Sequence, residues 1–421
     1  MRRRNGHEQP TIAHPLMERA LAKTLGVPLF QEQMMQLAID CAGFTPAEAD
    51  KLRQAMGSKR SHERVAELCE RLMTGMAARG IPTEAAEDVY TKIDAFSGYG
   101  FPESHAASFA LLVYASAWLK HHYPAAFTCA LLANQPMGFY SPLTLITDAR
   151  RHGVTVLPAD VNHSAAQPTL EDAPAGDAPA PAGARQRGGG PAIRLGLAAV
   201  RGLGPEQAEA VTAGQPYTDL EDFARRTALD APALEALATA GAFTSMGVTR
   251  RRALWSAGLL ARTTDAMLPG TAPALTAPDG LPEMNAIEET IADLWATGTS
   301  ATTHPVQHAR PHLERCGAMT AADFKTGAAT GALVAVGGLV THRQRPPTAG
   351  GVLFISLEDE TGLVNIVCHP HVWERQRRTA LGNAGLLVHG TAERRDGAVN
   401  LVATRLTPLT LAPGSRSRDF R

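Results

Sequence analysis

The stretch "GGLVTHRQRPPTAGGVLFISLEDETGLVNIV", Gly337 to Val367, decides the fold of the C-terminal part of this chain. Its apolar residues come in short runs of period near two, such as Leu353 to Leu357 and Leu363 to Val367, parted by breaks that carry proline and glycine. That is the pattern of strands joined by turns. Working outward, "ALVAVGGLVT" begins the region, and "AGLLVHGTAE" and "AVNLVATRLTPL" continue it past the run "LVNIVCHP". Five such runs between about Leu333 and Leu409 predict a small, closed five-stranded barrel over residues 330–412, followed by a tail, 413–421.

The chain has 421 residues, enough for two to four domains with real cores. A formal net charge of −1 makes no whole-chain case for nucleic acid or membrane, so any electrostatic footprint must be local. Five cysteines are scattered without a C-x-x-C pair. This argues against a disulfide framework and a zinc finger, and a reducing cytoplasm is expected. The basic start "MRRRNGHEQP" lacks an apolar stretch behind it, and the longest apolar run, "AASFALLVYASAWL", is shorter than the roughly 18 residues that span a bilayer. No membrane partner is expected.

Residues 1–162 read as an all-α domain. Thr45-Pro46-Ala47-Glu48 is a capping box with proline at the first helical position, which predicts a helix from about Pro46 towards Gly57. Ser61 opens a helix that Gly80 closes, and Ser141-Pro142 opens one that Gly153 closes. In "SGYGFPESHAASFALLVYASAWLKHHYP", Ser97 to Pro124, Ser104 reads as the cap of a helix whose Leu111, Leu112, Val113 and Trp118 are expected to form a buried strut. Residues 163–192 are Pro, Ala and Gly with little to bury, hence a flexible loop, with Thr169–Glu171 and Ile193–Gly196 as two short paired strands at its borders. A second soft stretch and a connector helix, announced by the capping-box spacing of Asn285 to Glu288, occupy 263–329.

Between these lies residues 193–262, where "GLAAVRGLGPEQAEAVTA" gives helical spacing, a turn at Arg201, Gly202 and Gly204, and a second helix from Pro205. Glycine permits the tight hairpin, and N–H groups at the next helix start suit a phosphate oxygen. This is a helix-hairpin-helix pattern, which grips a nucleic-acid backbone without reading sequence. Ala208 and Val211 fall on the inward face. In the barrel region, residues 331–421 hold 11 arginines, no lysine and 7 acidic residues. Arg343, Arg345, Arg375, Arg377, Arg378, Arg394 and Arg395 fall at strand ends and turns, with Phe354 and Trp373 as stacking platforms for single-stranded nucleic acid. Scattered arginines can equally solvate a surface, and Trp373 can equally be core. Cys368-His369-Pro370-His371 lacks the spacing of a metal site. Arg53, Lys59 and Arg60, near a helix end, suit either the helix dipole or a triphosphate.

Chemistry is what the pattern omits. No Gly-Lys-Ser/Thr follows the hairpin glycines, no nucleophile elbow occurs, and no Asp-x-Asp sits on a strand-like segment to hold two metal ions. Glu358-Asp359-Glu360 is the densest acidic run, and at a turn between strands it reads as solvated charge.

The segments "KTLGVPLFQEQMMQLAIDCAGFTPAEADKLRQAMGSKRS" and "SGYGFPESHAASFALLVYASAWLKHHYPAAFTCALLANQPMGFYSP" resemble the fingers region of bacterial C-family DNA polymerases. Pro102-Glu103-Ser104-His105, "QPMGFYSPLTLITDARRHGV" and the terminal "SRDFR" resemble the error-prone branch rather than the replicative alpha subunit. The likeness continues through the hairpin and an OB-type barrel, so it covers essentially the whole chain. It implies fingers, helix-hairpin-helix and OB-fold modules from the C-terminal portion of a translesion, DNA damage-induced polymerase. The family's palm, with its catalytic aspartates, precedes this point, and "RRRNG" resembles the sequence just after it.

The resemblance implies partners too: template-primer and single-stranded DNA, a deoxynucleoside triphosphate, and a palm-bearing polypeptide or mutasome subunits. Magnesium is implied for the complete polymerase and no cofactor for this chain, which alone is expected to be inactive; the alternative is a stand-alone single-stranded DNA-binding accessory protein. By analogy Arg53 and Lys59, with Gln31, Gln33, Ser104 and His105, would line the nucleotide-phosphate site. Gln54 stands where the family commonly has a second arginine, and Cys368 and His369 stand where it tends to be apolar or aromatic.

Overall fold

Apolar spacing builds the N-terminal helices. The computed structural model describes residues 2–56, 61–96, 102–173, 190–263, 281–346, 349–395, 397–411 and 418–420, in two compact units, Met1–Trp118 and Leu119–Arg421. In the first, short turns from Pro15 to Thr24 lead into α1 (Gln31–Ala42), α2 (Pro46–Met56), α3 (Ser61–Glu67), α4 (Cys69–Ala78), α5 (Thr83–Phe96) and most of α6 (Glu103–His122), whose last residues, from Leu119, belong to the second unit. Met34, Leu37, Ala38 and Cys41 recur at the i, i+3, i+4, i+7 spacing of one helix face and are all buried. They join Leu52, Met56, Leu72, Met76, Val89 and Ile93 in one core. Each large side chain there contributes about 1.5–3 kcal/mol by leaving water.

Two arginines finish α1: Arg71 donates to the carbonyls of Ala42 (3.0 Å) and Gly43 (3.1 Å), and Arg79 to that of Asp40 (2.8 Å). α4 then passes so close that a Cβ on Gly75 would lie 2.0 Å from the Ala42 oxygen. Gly75→Ala would therefore force the two helices apart.

The local signals hold. Thr45 and Glu48 form the reciprocal box, with the Thr45 N–H donating to Glu48 at 2.7 Å and the Glu48 N–H donating to the Thr45 hydroxyl at 3.3 Å. Gly80 and Gly153 take the left-handed φ expected of closing residues, +74° and +81°. The helix expected from Ser61 is interrupted at Leu68, giving α3 and α4. One expectation for this unit fails: α6 has no buried residue, and Leu111, Leu112, Val113 and Trp118 are 70%, 58%, 63% and 45% exposed. An apolar composition does not by itself bury a helix. Among the described residues no helix is long and apolar enough to cross a membrane.

The second unit opens with α7 (Pro124–Ala133) and α8 (Pro142–Arg151), whose Ser141 hydroxyl accepts from the Thr144 N–H at 3.2 Å. The small sheet that follows has β1 (Val156–Leu157) parallel to β3 (Ala192–Arg194), which also pairs antiparallel with β2 (Thr169–Glu171). The paired borders of the expected loop are thus present, while its middle, 174–189, lies outside the described residues. Then come α9 (Pro205–Ala213), α10 (Leu220–Thr227), α11 (Ala231–Ala240), α12 (Arg250–Leu260) and α13 (Ala286–Thr297). Ala125, Cys129, Ile146 and Ala149 of α7 and α8 share one core with Ile193, Ala208, Val211, Phe223 and Leu237. Burial therefore groups residues 124–151 with the hairpin region rather than with the helices before them.

Past α14 (Pro305–Arg315), β4 (Ala318–Met319) and α15 (Ala321–Gly327), the five predicted runs become β5 (Leu333–Gln344), β6 (Leu353–Asp359), β7 (Gly362–Cys368), β8 (Gly385–Arg395) and β9 (Ala398–Pro408). The order β5-β6-β7-β9-β8 closes because β5 also pairs with β8. β4 and a last strand, β10 (Arg418–Phe420), run parallel alongside β5. Helix α16 (Pro370–Gly382) stands between β7 and β8, where the arginine-rich sequence suggests only turn; Val372, Trp373 and Ala380 anchor it in the barrel core. Gly337 is needed at the packing of α14 on β5, since a Cβ there would lie 2.3 Å from Leu313.

Candidate nucleic-acid interface

The hairpin has the turn and the second helix that its spacing predicts, with one tight turn in place of the first helix. Leu197–Ala199 makes one tight turn, Gly202 adopts φ +76°, and α9 begins at Pro205 with Ala208 and Val211 fully buried beneath it. Arg201 and Gly202 are exposed at the tip. The Arg201 guanidinium lies 4.8 Å from the ring centroid of Trp295 on α13, and its backbone N–H donates to the Ala296 carbonyl at 2.7 Å, which fixes the tip against the connector. Gly204 differs from expectation: its N–H donates to the Gln207 side chain at 3.1 Å, so that donor is already engaged.

On the barrel the strand register sets out the surface. Phe354, Val367 and Val402 align across β6, β7 and β9, with Ser356, Asn365 and Asn400 as the next row. All six are at least partly open to solvent, and Phe354 is 38% exposed, as a stacking platform requires. Arg345, Arg375, Arg377 and Arg378 are at least partly exposed nearby in sequence, three of them on α16. Arg345 and Arg377 place guanidiniums 5.4 Å and 5.6 Å from the Trp373 ring centroid, while the tryptophan itself is 7% exposed. Trp373 is therefore core, and stacking by a base is ruled out by burial.

Two other predicted contacts prove structural. Arg343 is buried and donates to the carbonyls of Ala380 (2.7 Å) and Asn383 (2.6 Å), closing the C-terminus of α16. Arg394 donates to Ala328 (2.8 Å) and Lys325 (2.5 Å) and closes α15. Cations at helix ends satisfy carbonyls that have no intrahelical partner. Cys368 is buried, and burial pushes its thiol up to about 11.

In the first unit Arg53 donates to Asp50 at 2.8 Å, and Gln54 donates to the same carboxylate at 2.6 Å, which together hold Asp50 below the usual carboxylate range. Both side chains are half-exposed, so solvent screens the pair. Lys59 lies outside the described residues. Gln33 does not face a ligand: its oxygen accepts from the N–H groups of Leu29 (2.8 Å) and Phe30 (3.0 Å), and its nitrogen donates to Ala20 and Thr24. Gln31 is buried as well. Ser104 is not the cap of α6, because the helix starts at Glu103, whose N–H donates to Glu32 at 2.9 Å. Ser104 and His105 are exposed, and the His105 ring lies 4.4 Å from that of Phe109.

The acidic run is the largest departure. Glu358 and Asp359 are 0% and 1% exposed. Glu358 accepts from the Thr144 hydroxyl at 2.8 Å and pairs with Arg151 at 3.4 Å, tying β6 to α8. Asp359 accepts from Arg310 and from the Ala321 N–H, each at 2.8 Å, and from Thr361 and Gly362; Glu360 completes the fork on Arg310 at 2.7 Å. Burial pushes the Glu358 carboxyl above its ordinary range against the pull of Thr144 and Arg151. His304, buried beside this network, is pushed down to about 3 by desolvation. Among the described residues no group of three or more His, Cys, Asp or Glu is placed to hold a metal. The acidic run, taken up by arginine and backbone donors, does not fit the magnesium implied for a complete polymerase.

Family comparisons agree with this arrangement. Residues 1–80 match the bacterial DNA polymerase III alpha subunit finger domain, 153–253 the helix-hairpin-helix motif, and 334–409 the OB-fold nucleic acid binding domain. All of this chain aligns with the error-prone DNA polymerase of Nocardia farcinica at 51% identity, of Mycobacterium tuberculosis H37Rv at 50%, and of Corynebacterium glutamicum at 46%. It spans 36%, 37% and 38% of those relatives, little more than a third of their length. The chain thus carries fingers, helix-hairpin-helix and OB-fold modules. Over its whole length the chain is similar to part of the error-prone DNA polymerases of these bacteria.

Proposed function

We propose that this chain provides the fingers, hairpin and OB surfaces of an error-prone, translesion-type DNA polymerase. In this reading the hairpin tip at Arg201 and Gly202 holds a DNA backbone. The Phe354 row with Arg345 and the α16 arginines holds the single-stranded template, and Arg53 meets the phosphates of the incoming nucleotide. The catalytic carboxylates belong to a palm in the part of the relatives' length that this chain does not span. The observation that carries the reading is alignment of the whole chain, at 51% identity, with little more than a third of an error-prone polymerase.

Binding should weaken steeply with salt, because each phosphate contact releases counterions. The test is primer extension with magnesium and all four nucleotides, run on the chain alone and after addition of a palm-bearing polypeptide. No extension alone and extension after mixing are expected. Extension by the chain alone would sink the assignment of chemistry to the palm, and salt-independent DNA binding would sink the surfaces named here.

A further inference from the structure

A cavity of about 330 Å³ lies against the hairpin, bordered by Leu132 and Ile146 of α7 and α8, by Ala198 in the turn entering the hairpin, and by Pro205, the first residue of α9. Four polar side chains also line it, Gln135, Gln167, Thr297 and Thr299, and two of them carry a buried atom without a partner among the described residues. Thr299 is 2% exposed and its hydroxyl has no hydrogen-bond partner among the described residues. Gln135 uses its oxygen to accept from the Met137 N–H at 2.9 Å, while its buried amide nitrogen has no partner among the described residues. Buried donors left unmade are costly, and in a natural protein they call for a ligand or water.

We infer that this cavity receives one unstacked nucleobase of the DNA strand whose backbone rests on the hairpin. The inference depends on the DNA-binding reading above and adds a site to it. Apolar walls suit the faces of a heterocycle, and an amide N–H beside a hydroxyl suits the carbonyl and ring nitrogen acceptors on a base edge. Every base offers such acceptors, so the pocket is tolerant of sequence. Position selects a base over a free metabolite: Ala198 and Pro205 belong to both the cavity wall and the hairpin, so a strand gripped at Gly202 brings its bases to the opening.

The experiment measures binding of the full chain to short single strands in which one abasic tetrahydrofuran residue is moved stepwise along the sequence. One position should cost about 5- to 100-fold in affinity, the range for losing a single base stack. Ala198→Phe, which fills the cavity, should bring the intact strand down to the affinity of that abasic strand, and Thr299→Val should shrink the difference several-fold. DNA binding with all abasic positions equivalent overturns the inference, whether or not the variants fold, and is the result expected of a cavity that holds water alone. Absence of any DNA binding overturns the proposed function with it.

Discussion

Helix α6 and the turn Glu358-Asp359-Glu360 exchange the places their compositions suggest. The helix is rich in Leu, Val, Phe and Trp and has no buried residue, while two of the three consecutive acids are 0% and 1% exposed. Burial follows from what the rest of the chain places opposite a segment. Opposite the acids stand Arg310, Arg151, Thr144 and a row of backbone donors. The apolar helix keeps 18 of its 20 residues exposed, with Glu103 and Ala106 half-buried and Lys120 paired with Asp148 at 2.7 Å.

The sharpest way to break this contrast is Arg310→Ala. It strands two carboxylates in the barrel wall, and unfolding monitored by denaturant should show a loss of about 3–5 kcal/mol. A loss under about 1 kcal/mol, the range of exposed pairs, would mean the acids are solvated after all. Next in size is the response to acid. The unfolded His304 takes a proton near 6.5 while the folded one resists to about 3, so its contribution is complete above 6.5 and is lost as pH falls through that window. Glu358 has the opposite sign: its folded carboxyl titrates above 4.5, so its contribution is complete below 4.5 and falls away as pH rises through the folded value. His304→Asn keeps an acceptor for the Val306 N–H, which now donates to the imidazole at 3.3 Å, and should remove a few kcal/mol of acid sensitivity from the unfolding free energy measured by denaturant between about pH 7 and pH 4.

Smaller effects separate exposed charge from buried charge. Arg375→Gln with Arg378→Gln should leave stability unchanged and reduce the slope of log affinity against log salt by about 0.7 for each phosphate of single-stranded DNA that the protein no longer neutralises. An unchanged slope would remove α16 from the interface. Smallest of all, Leu112→Ser should shift stability by no more than about 0.5 kcal/mol, as for any exposed position. A drop of several kcal/mol would show that α6 is covered in the chain itself.

What the sequence made legible was whatever is local. The boxes at Thr45 and Asn285, the closing glycines, the hairpin spacing and the strand alternation all depend on residues a few positions apart, and each is present. What it hid depends on distance along the chain. Arg343 and Arg394 look like free surface cations in sequence because the carbonyls they meet lie 37 and 66 residues away, and Glu358 finds Thr144 across 214. Helix α16 carries a readable signal, proline at its start and Val372, Trp373 and Ala380 at helical offsets, which the abundance of arginine obscures. Of the candidate site, Phe354, Arg345, Arg201 and Gly202 reach solvent, whereas Trp373, Arg343 and Gln33 turn inward because aromatic and polar side chains serve cores and caps as readily as ligands.

Strand β5 pairs with β8 through its first half and β6 through its second, meeting both at Leu339. In kinetic terms this makes one strand the closing seam. The β5–β6–β7 meander can form from near neighbours, but the loop joining Leu333 to Thr391 must be closed before the ring exists, and such distant contacts set the pace of folding. During synthesis, then, the start of β5 waits with an unpaired edge until residues 385–395 have been made.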